Sequence, residues 1–367
     1  MSILILYASA GNGHRRAAQA LYEGFILAGR EDVVMLDILD FTPKWFRRFY
    51  SGGYGWVINN AKWLWRFAFD ISNRSSRRSF LIDGWHSLLN VLATKSLGKY
   101  LRQGNVSLVV TTHFMANDVL AYYKHKSGCR CRLACVVTDY VVHRFWAEKG
   151  VDRYFVGCEE AKRELVAMGV EESKISVIGI PVPASFLRTL PREQIIERFG
   201  LENRFTVLML ASAVEPGLII DSVKVLMRDT QIVVGCGRNE RLRKELEPLQ
   251  EISPTLKIYG MIDEMELMMS MADVLVTKPG GLVVSEAIVK RLPMVLVDPI
   301  PGQEEGNRDF LVNKGVAKYA RGSVDLIRHI LNLKQDKVEL ERMRLAFDSL
   351  PQGDVAGRIV EDLLSSE

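Results

Sequence analysis

The stretch "ILILYASAGNGHRRAAQAL", from Ile3 to Leu21, contains the pattern that decides the fold. A short apolar run ends in a turn of small residues, and an alanine-rich segment with helical spacing follows the turn. This order is typical of a strand that leads into a helix packed back onto a parallel sheet. Gly11 and Gly13 let the backbone approach a ligand closely, so the start of the helix can face an anion or a polar substrate.

Short apolar runs and helical segments alternate along the rest of the chain. The apolar residues within each run are consecutive, which is typical of parallel strands covered on both faces. The runs are too many for one doubly wound sheet, so we predict an α/β protein with two Rossmann-like domains facing a cleft. The domains should join near Gly179–Glu193, where three prolines interrupt any regular pattern. The predicted strands are Ile3–Tyr7, Val33–Asp37, Leu108–Thr112, Leu133–Thr138, Tyr154–Gly157, Ile175–Ile180, Thr206–Ala211, Ile232–Gly235, Leu256–Tyr259, Val274–Thr277 and Met294–Val297.

Composition narrows the class of protein. The chain has 367 residues, of which 48% are hydrophobic and 25% are charged, and its net charge is +4. These values are those of a globular protein, and so mild a charge does not indicate nucleic-acid binding. The start of the chain does not resemble a signal peptide, and no run reaches the roughly 18 to 20 apolar residues that cross a bilayer. We therefore expect a cytoplasmic protein that at most lies on a membrane.

The sequence predicts no metal site. Cys129, Cys131 and Cys135 lie close together, but no second group of Cys or His completes a zinc-binding pattern. No pair of histidines has the spacing of metal ligands on one helix face. We interpret the cysteines as reduced thiols.

The segment Lys44–Arg78 interrupts the alternation of strands and helices. It combines four tryptophans and other aromatic residues with eight Lys and Arg residues, against the single acidic residue Asp70. Aromatic side chains can enter the headgroup region of a membrane, while each nearby cation gains about 1 kcal/mol from anionic lipid. We predict that this segment docks on an anionic membrane surface; the alternative is a helical excursion that packs its aromatics within its own domain. Single-stranded nucleic acid ranks last, because no second basic patch extends the track.

His14 is the first candidate for catalysis. At the start of a helix the dipole lowers the pKa of an imidazole and keeps it neutral, which suits a general base. The alternative is a residue that only caps the helix. A nicotinamide-binding turn is also open, because Asp37 ends the next strand as that motif requires, although Arg16 stands where its third glycine would be.

Asp139 and His143 form the second candidate group, in "VVTDYVVHRFW". Asp139 follows a buried strand, so its carboxylate should lie at the carboxyl edge of the sheet, and His143 is close enough to share the site. His113 follows a third strand of the same domain. The alternative is that Asp139 only caps the next element, and a metal site is a further alternative without a supporting ligand pair.

The third group spans "ADVLVTKPGGLVVSEAIVKRLPMVLVDPIPGQEEGNRDFL", residues 272–311. Lys278, Gly280 and Gly281 form a turn before a helix, and such a helix start can hold a diphosphate. One turn into that helix, Glu286 could accept both hydroxyls of a ribose. A proline-stiffened loop follows the next strand, and the polar residues after it suit the hydroxyls of a sugar. The candidate ligand-binding residues of this third group are Lys278, Gly280, Gly281, Ser285, Glu286, Gln303, Glu304 and Asn307.

Five motifs together resemble a known family. "SAGNGHRRAAQAL", "VVTDYVVHRFW", "VGCGRNERL", "YGMIDEMELMMSMADVLVTKPGGLVVSEA" and "PIPGQEEGN" are similar to the glycosyltransferases that make monogalactosyl- or glucosyl-diacylglycerol. These enzymes are relatives of the peptidoglycan N-acetylglucosaminyl transferase. The resemblance extends from residue 1 to about residue 320.

The resemblance implies a GT-B fold and a division of labour between its domains. Residues 1–185 would bind the acceptor and the membrane, residues 186–340 would bind a UDP-sugar, and residues 341–367 would cross back to the first domain. Gly280 and Gly281 would lie by the diphosphate, and Glu286 would hold the ribose. The backbone around Met261 and Ile262 would read the uracil, and Gln303 and Glu304 would hold the sugar.

The resemblance also implies a reaction. UDP-glucose or UDP-galactose would be attacked directly by diacylglycerol or another lipid, with inversion of an α-linked donor to a β-glycoside and without a metal or other cofactor. His14 would be the base, with Asp139 as its rival or as the partner that orients His14 or His143. The protein would be peripheral on the inner face of the cell membrane.

One stretch departs from the family. After the first strand of the second domain the family has a glycine-rich turn, whereas this chain has "LASAVEPG", Leu210–Gly217. Three other functions stay open: transfer to a different acceptor such as a polyprenyl-linked sugar or small metabolite, UDP-sugar epimerisation, and membrane binding without catalysis.

Overall fold

The computed structural model describes residues 2–9, 11–48, 50, 66, 90–126 and 130–365. Within these residues the strands form two parallel six-stranded sheets, so the predicted α/β class is confirmed. Every predicted strand is present, and β12 is one that the sequence did not predict. The strands are β1 (Ser2–Tyr7), β2 (Val33–Asp37), β3 (Val106–Thr111), β4 (Arg132–Val136), β5 (Arg153–Val156), β6 (Ile175–Val177), β7 (Thr206–Leu210), β8 (Gln231–Gly235), β9 (Leu256–Tyr259), β10 (Val274–Thr277), β11 (Met294–Val297) and β12 (Ala317–Ala320).

Helices connect most of these strands, as the apolar spacing of the intervening segments predicts. Short 3-10 turns supplement them, including Arg144–Trp146 after β4. The helices of the described residues are α1 (Asn12–Leu27), α2 (Lys44–Arg48), α3 (Lys95–Gln103), α4 (Phe114–Lys126), α5 (Glu159–Ala167), α6 (Arg192–Phe199), α7 (Pro216–Leu226), α8 (Glu240–Ile252), α9 (Met265–Met271), α10 (Gly281–Val289), α11 (Gln303–Asn313), α12 (Ser323–Gln335), α13 (Lys337–Ala346) and α14 (Val355–Ser365).

The chain divides into two compact units. The first comprises Met1–Ala184, Ile300–Gly306 and Gly353–Glu367, and the second comprises Ser185–Pro299 and Asn307–Gln352. Residues 341–352 therefore belong to the second unit, whereas the sequence analysis grouped them with the C-terminal helices. The start of α11 belongs to the first unit by its contacts.

Each sheet has a point where the order of its strands reverses. In the first sheet, ordered β2-β1-β3-β4-β5-β6, this point lies between β1 and β3. In the second sheet, ordered β12-β11-β10-β7-β8-β9, it lies between β7 and β10. Ligands of open parallel sheets bind beyond the carboxyl ends of the strands at such a point. The loops after β1, β3, β7 and β10 are therefore the places to look for a site.

The core of the first unit includes the last helix. Ile5 of β1 is fully buried together with Phe25 of α1 and Ile359 of α14. Gly24 eases the approach of α1 and α14, because a Cβ at this position would lie 3.3 Å from Cγ2 of Val360. Burial of a side chain such as Ile359 of α14 contributes about 2 kcal/mol to stability, so α14 is an integral part of this unit.

The core of the second unit forms from the inner strands and two helices. Met209 of β7 and Val276 of β10 are fully buried, and they belong to one cluster with Ile219 of α7 and Ile330 of α12. The burial of every residue of β8 and β10 explains why these strands read as continuous apolar runs.

Several predictions concern the surface and the thiols. In the described part of the chain no helix is long and apolar enough to cross a membrane. Of the predicted membrane segment Lys44–Arg78, the structure describes residues 44–48, 50 and 66, and the remainder lies outside the described residues. Cys131 and Cys135 are buried, and Cys129 lies outside the described residues. Among the residues described, no group of three His, Cys, Asp or Glu could hold a metal ion.

Candidate active site

The side chain of His14 is fixed at the carboxyl ends of β3 and β4. Its Nδ1 lies 2.8 Å from the carbonyl oxygen of Thr112 and 3.0 Å from Oγ1 of Thr138. The hydroxyl of Thr112 donates in turn to the main-chain carbonyl of His14, at 2.9 Å. Because a carbonyl oxygen can only accept, Nδ1 carries the proton, and the neutral ring keeps its lone pair on Nε2.

The surroundings of His14 also favour its neutral form. Burial lowers the pKa of His14, while the negative charge of Asp139 and the hydrogen bond to Thr112 partly raise it. The lowered pKa of His14 is predicted above from the helix dipole, whereas burial is its largest cause in the structure. A neutral imidazole of defined tautomer can accept a proton on Nε2.

Asp139 lies just beyond β4 and is 7% exposed. Its carboxylate accepts a hydrogen bond from the side-chain amide of Gln303, the first residue of α11, within the first unit. Gly306 lets this part of α11 pack closely, because a Cβ at position 306 would lie 2.6 Å from Cγ2 of Val141. The structure thus brings together two residues that were predicted to have different roles, proton transfer and sugar binding.

Glu304 and Glu305 stabilise the turn that precedes α11. Oε2 of Glu304 accepts from the main-chain N–H of Ile300 at 2.7 Å, and Oε2 of Glu305 accepts from that of Gly302 at 3.0 Å. Glu305 also forms an ion pair with Arg66 at 3.2 Å. The carboxylate of Glu304, predicted to hold a sugar, therefore also determines the shape of its own loop.

His113 and His143 each cap the turn that follows them. Nδ1 of His113 accepts from the N–H of Met115 at 3.1 Å, and Nδ1 of His143 accepts from that of Phe145 at 3.2 Å. The ring of His113 contacts that of His14 edge to face, with centroids 4.6 Å apart, whereas the ring of His143 packs on Phe145. His113 is thus in direct contact with His14.

The start of α1 leaves room beside the backbone. Gly11 precedes the helix in an extended conformation, and a Cβ at this position would meet no atom of the described residues within 4 Å. Packing against the described part of the chain therefore does not require glycine at position 11. Gly13 lies in the first turn of α1, directly before His14.

Asp37, which a dinucleotide site would use for ribose, instead accepts from the main-chain N–H of Ser9 at 3.3 Å and of Leu39 at 3.0 Å.

Lys278 and the start of α10 lie at the carboxyl edge of the second sheet. Nζ of Lys278, after β10, is 2.9 Å from Oδ2 of Asp298, after the adjacent strand β11. Asp298 has a φ of +42°, a conformation that Asp tolerates better than most residues. Gly280 precedes α10, and among the described residues no side chain caps this helix and no acidic residue lies in its first turn. The N–H groups of this start are an environment suited to an anion.

The remaining donor-site candidates in the second unit support this turn. Asn307 is fully buried, and its Nδ2 donates to the carbonyl oxygen of Pro279 at 3.0 Å. Oγ of Ser285 donates to the carbonyl oxygen of Gly281 at 2.6 Å, one helical turn earlier. Glu286 is 1% exposed. Asn307 and Ser285 thus fix the backbone of the turn in this structure.

Met261 and Ile262 lie in the loop after β9. The side chain of Met261 is 67% exposed, and that of Ile262 packs against the end of β8, where a Cβ at Gly235 would lie 3.0 Å from its Cδ1. The N–H of Gly237 donates to the carbonyl oxygen of Gly260 at 2.9 Å. The backbone expected to read a uracil is thus anchored to the loop after β8.

The stretch "LASAVEPG" forms the end of β7 and the start of α7. The carboxylate of Glu215 accepts from the N–H groups of Gly217, at 3.1 Å, and Leu218, at 2.9 Å. Pro216, which has no N–H, is the first residue of the helix. Glu215 therefore caps α7 with a negative charge that belongs to the chain itself.

Two stretches of the chain match known families. Residues 14–182 match the monogalactosyldiacylglycerol (MGDG) synthase family, and residues 214–358 match the glycosyltransferase family 28 C-terminal domain. The chain is a glycosyltransferase that is similar to the MGDG synthase family over residues 14–182. Apart from Gly11 and Gly13, all the predicted site residues lie within the two matched stretches.

Named relatives of this glycosyltransferase match it over nearly its full length. A processive diacylglycerol beta-glucosyltransferase of Bacillus pumilus is 28% identical over 370 residues, which cover 99% of this chain and 94% of the relative. A protein of the same name from Bacillus cereus is 29% identical over 379 residues, with coverage of 99% and 93%.

Solved structures share the fold of this glycosyltransferase. MurG of Acinetobacter baumannii superposes with a TM-score of 0.66 at 15% identity, and both chains are covered completely. HepE of Anabaena in complex with UDP gives 0.60 at 15% identity, again with complete coverage. UDP-GlcNAc 2-epimerase of Neisseria meningitidis bound to UDP-GlcNAc gives 0.64 at 14%, also over the whole of both chains. The predicted GT-B fold is confirmed.

Sequence reasoning missed Thr112 and Thr138, the residues that hold the ring of His14. Each stands shortly after a buried strand of the first sheet, and this position was the available signal. The order β1-β3-β4 places both strand ends beside the start of α1, and that order is not visible in the sequence.

Proposed function

We propose that this glycosyltransferase moves a hexose from UDP-glucose or UDP-galactose to diacylglycerol or a related lipid. His14 carries the proposal: a neutral imidazole, with Nδ1 held by Thr112, can take a proton on Nε2 beside the charge of Asp139. The match to the MGDG synthase model and the names of the relatives support the hexose and the acceptor, and the UDP complex of HepE, which has the same fold, supports the donor.

The proposed reaction is a direct displacement. Nε2 of His14 takes the proton of the acceptor hydroxyl as its oxygen bonds to the anomeric carbon, and UDP leaves with the electrons of the bond that breaks. Attack from the face opposite UDP converts an α-linked donor into a β-glycoside. The imidazolium that forms is stabilised by the carboxylate of Asp139, which already raises the pKa of His14 in the resting enzyme.

The proposed sites for the diphosphate and the uridine lie in the second unit. The diphosphate would lie at the start of α10 near Lys278, so that N–H groups and an ammonium meet the charge that develops on UDP. In this scheme no metal is needed for that charge. Glu286 would hold the ribose, the backbone at Met261 and Ile262 the uracil, and Gln303 and Glu304 the sugar.

The proposed membrane surface includes α3 as well as α2. Oγ of Ser96 in α3 donates to the carbonyl oxygen of Phe41, just before α2, at 2.7 Å, and the rings of Phe41 and Tyr100 lie 5.7 Å apart. Trp45 of α2 is 68% exposed. The exposed cations of the two helices, which would face anionic lipid at the inner side of the cell membrane, are Lys44, Arg47, Arg48, Lys95, Lys99 and Arg102.

Turnover with defined substrates tests the proposed function. UDP release is measured with each donor, with and without diacylglycerol in anionic vesicles, for the wild-type enzyme and for His14→Ala. We expect release that requires the lipid, and a loss of about 10²- to 10⁴-fold in His14→Ala, the usual contribution of a general base. His125→Ala is the matched control, since His125 is an exposed histidine of the same unit.

Other outcomes of that assay point elsewhere. Donor conversion without any acceptor would indicate an epimerase, and release that needs a polar acceptor instead of the lipid would indicate another transferase. Wild-type turnover by His14→Ala would remove His14 from the mechanism.

Vesicle binding tests the proposed membrane surface. Reversing two charges in Lys99→Glu/Arg102→Glu should weaken binding to anionic vesicles by at least about 30-fold, because each of the two lost cations near such a surface is worth about 1 kcal/mol, or about fivefold. Lys337→Glu, at an exposed lysine of α13 in the second unit, is the control. Equal binding of both variants would rule out α3 as part of the surface.

A further inference from the structure

The loop from Thr138 to His143 carries two groups that act on His14. Oγ1 of Thr138 lies 3.0 Å from Nδ1 of His14, and the charge of Asp139 raises the pKa of that histidine. Tyr140 and Val142 of the same loop are 3% and 4% exposed. The placement of Thr138 and Asp139 therefore depends on what holds the inner side of this loop.

Three contacts with the region of β5 and α5 hold it. Oε2 of Glu164 accepts from the main-chain N–H of Val142 at 2.6 Å. Sγ of Cys158 donates to the carbonyl oxygen of Tyr140 at 3.3 Å. Gly157 lets the ring of Tyr140 pack closely, since a Cβ at position 157 would lie 3.0 Å from its Cε1. The carbonyl group of Tyr140 and the N–H group of Val142 are thus both bound by side chains of the β5–α5 region.

Glu164 differs from the other two contacts because it brings a charge to a half-buried position. Burial raises the pKa of Glu164, and the hydrogen bond from Val142 lowers it in part. Placing a carboxylate there costs free energy, which a hydrogen bond to the charged group can offset. Packing alone needs no charge at this position, whereas a charged acceptor holds a main-chain N–H more firmly than a neutral one.

We infer that Glu164 is a positioning residue for catalysis. Its carboxylate fixes the N–H of Val142, and through the loop it keeps Asp139 and Thr138 against His14. The inference rests on the proposed role of His14 as the base, and it assigns to Glu164 no contact with substrate. Its loss should therefore reduce the rate of the chemical step and leave the affinity for UDP unchanged.

Three variants test this role. Glu164→Met keeps most of the side-chain volume and removes the acceptor, and Glu164→Gln keeps a neutral acceptor. Glu159→Gln removes an exposed charge from the same helix and is the control. We expect kcat to fall about tenfold in Glu164→Met, the size of effect expected for a lost hydrogen bond to a charged group. We expect Glu164→Gln to recover most of that loss, and the Kd of UDP to stay within about twofold in all three.

A spectroscopic measurement separates this inference from the proposed function. The Cε1–Hε1 resonance of His14, assigned by its absence in His14→Ala, should shift in Glu164→Met and stay in place in Glu159→Gln, whether or not the enzyme turns over the donors supplied. Inactive wild-type enzyme would contradict the proposed function alone. A wild-type kcat, or an unmoved His14 resonance, in Glu164→Met would overturn the positioning role. An equal fall of kcat and UDP affinity in Glu164→Met and Glu164→Gln would do the same, since it indicates general loss of structure.

Discussion

The helices α7 and α10 begin at equivalent places in the second sheet, but their starts differ in charge. Both follow the strands between which the strand order reverses, β7 and β10. The start of α7 is capped by the carboxylate of Glu215 and has Pro216 as its first residue. The start of α10 follows Gly280 and Lys278 and has no acidic residue in its first turn.

This difference shows that the main-chain N–H groups at the start of a helix can be bound by a side chain of the protein or left available for a ligand. The N–H groups of Gly217 and Leu218 in α7 are already bound by a negative charge, which would repel a phosphate. In "LASAVEPG", which stands in place of the glycine-rich turn of the family, the carboxylate of Glu215 stabilises the start of α7. We therefore propose that the diphosphate binds at the start of α10.

The largest effect is expected from a substitution that gives the start of α10 a negative cap like that of α7. Gly280→Asp places a capping carboxylate before α10 at a residue whose φ of −69° any amino acid can adopt. We expect a UDP affinity about 100-fold weaker, because juxtaposed like charges cost several kcal/mol. Thermal stability should rise, since Asp is a favourable N-cap. Isothermal titration with UDP and thermal unfolding measure the two effects.

Gly280→Ser separates charge from capping in that experiment. Serine can cap the helix without a negative charge, so its UDP affinity should lie between those of the wild type and Gly280→Asp. Unchanged UDP affinity in Gly280→Asp would show that the start of α10 does not hold the diphosphate.

Removing the cation Lys278, which precedes α10, should have a smaller effect on UDP affinity. Lys278→Met should weaken UDP binding about tenfold, the size expected for a lost charge-assisted hydrogen bond. Asp298, the ion-pair partner of Lys278, remains near the site and adds to the loss. Lys278→Met combined with Asp298→Asn should therefore bind UDP better than Lys278→Met alone. Equal affinities in the single and double variants would show that the ion pair is not coupled to the ligand.

The smallest effect on the ligand is expected at α7. Glu215→Ala removes the cap and should lower the free energy of unfolding by about 1 kcal/mol or less. The Kd of UDP should stay within about twofold, because α7 takes no part in the proposed site. Urea unfolding and UDP titration of the same preparation test both statements. A tenfold change in UDP affinity would mean that the two helix starts do not differ in the way described.

The sequence predicts most strands of the two sheets, but it does not predict the edge strand β12 or the end of β4. Most strands are continuous runs of buried apolar residues, whereas β12 is a four-residue strand whose middle residues are only partly buried. Leu133–Thr138 was predicted as one strand, and β4 ends at Val136. Thr138 lies beyond the end of β4, and its hydroxyl oxygen is 3.0 Å from Nδ1 of His14.

The residues of the candidate site could be found in the sequence, but not their contacts. His14, Asp139 and Lys278 stand after apolar runs in positions that parallel sheets use for ligands. Which of them meet depends on strand order and long-range packing, as for Asp139 and Gln303, which are distant in the chain. Glu164 gave no signal, since a glutamate on an amphipathic helix usually lies in solvent.

The configuration of the lipid product tests the central claim most directly. The wild-type enzyme would be incubated with UDP-glucose or UDP-galactose and diacylglycerol in anionic vesicles, and the anomeric proton of the extracted glycolipid would be observed by NMR. A β-linked hexose on diacylglycerol is the predicted result, because one displacement on an α-linked donor inverts the anomeric carbon. An α-linked product, or free sugar without a glycolipid, would contradict the account.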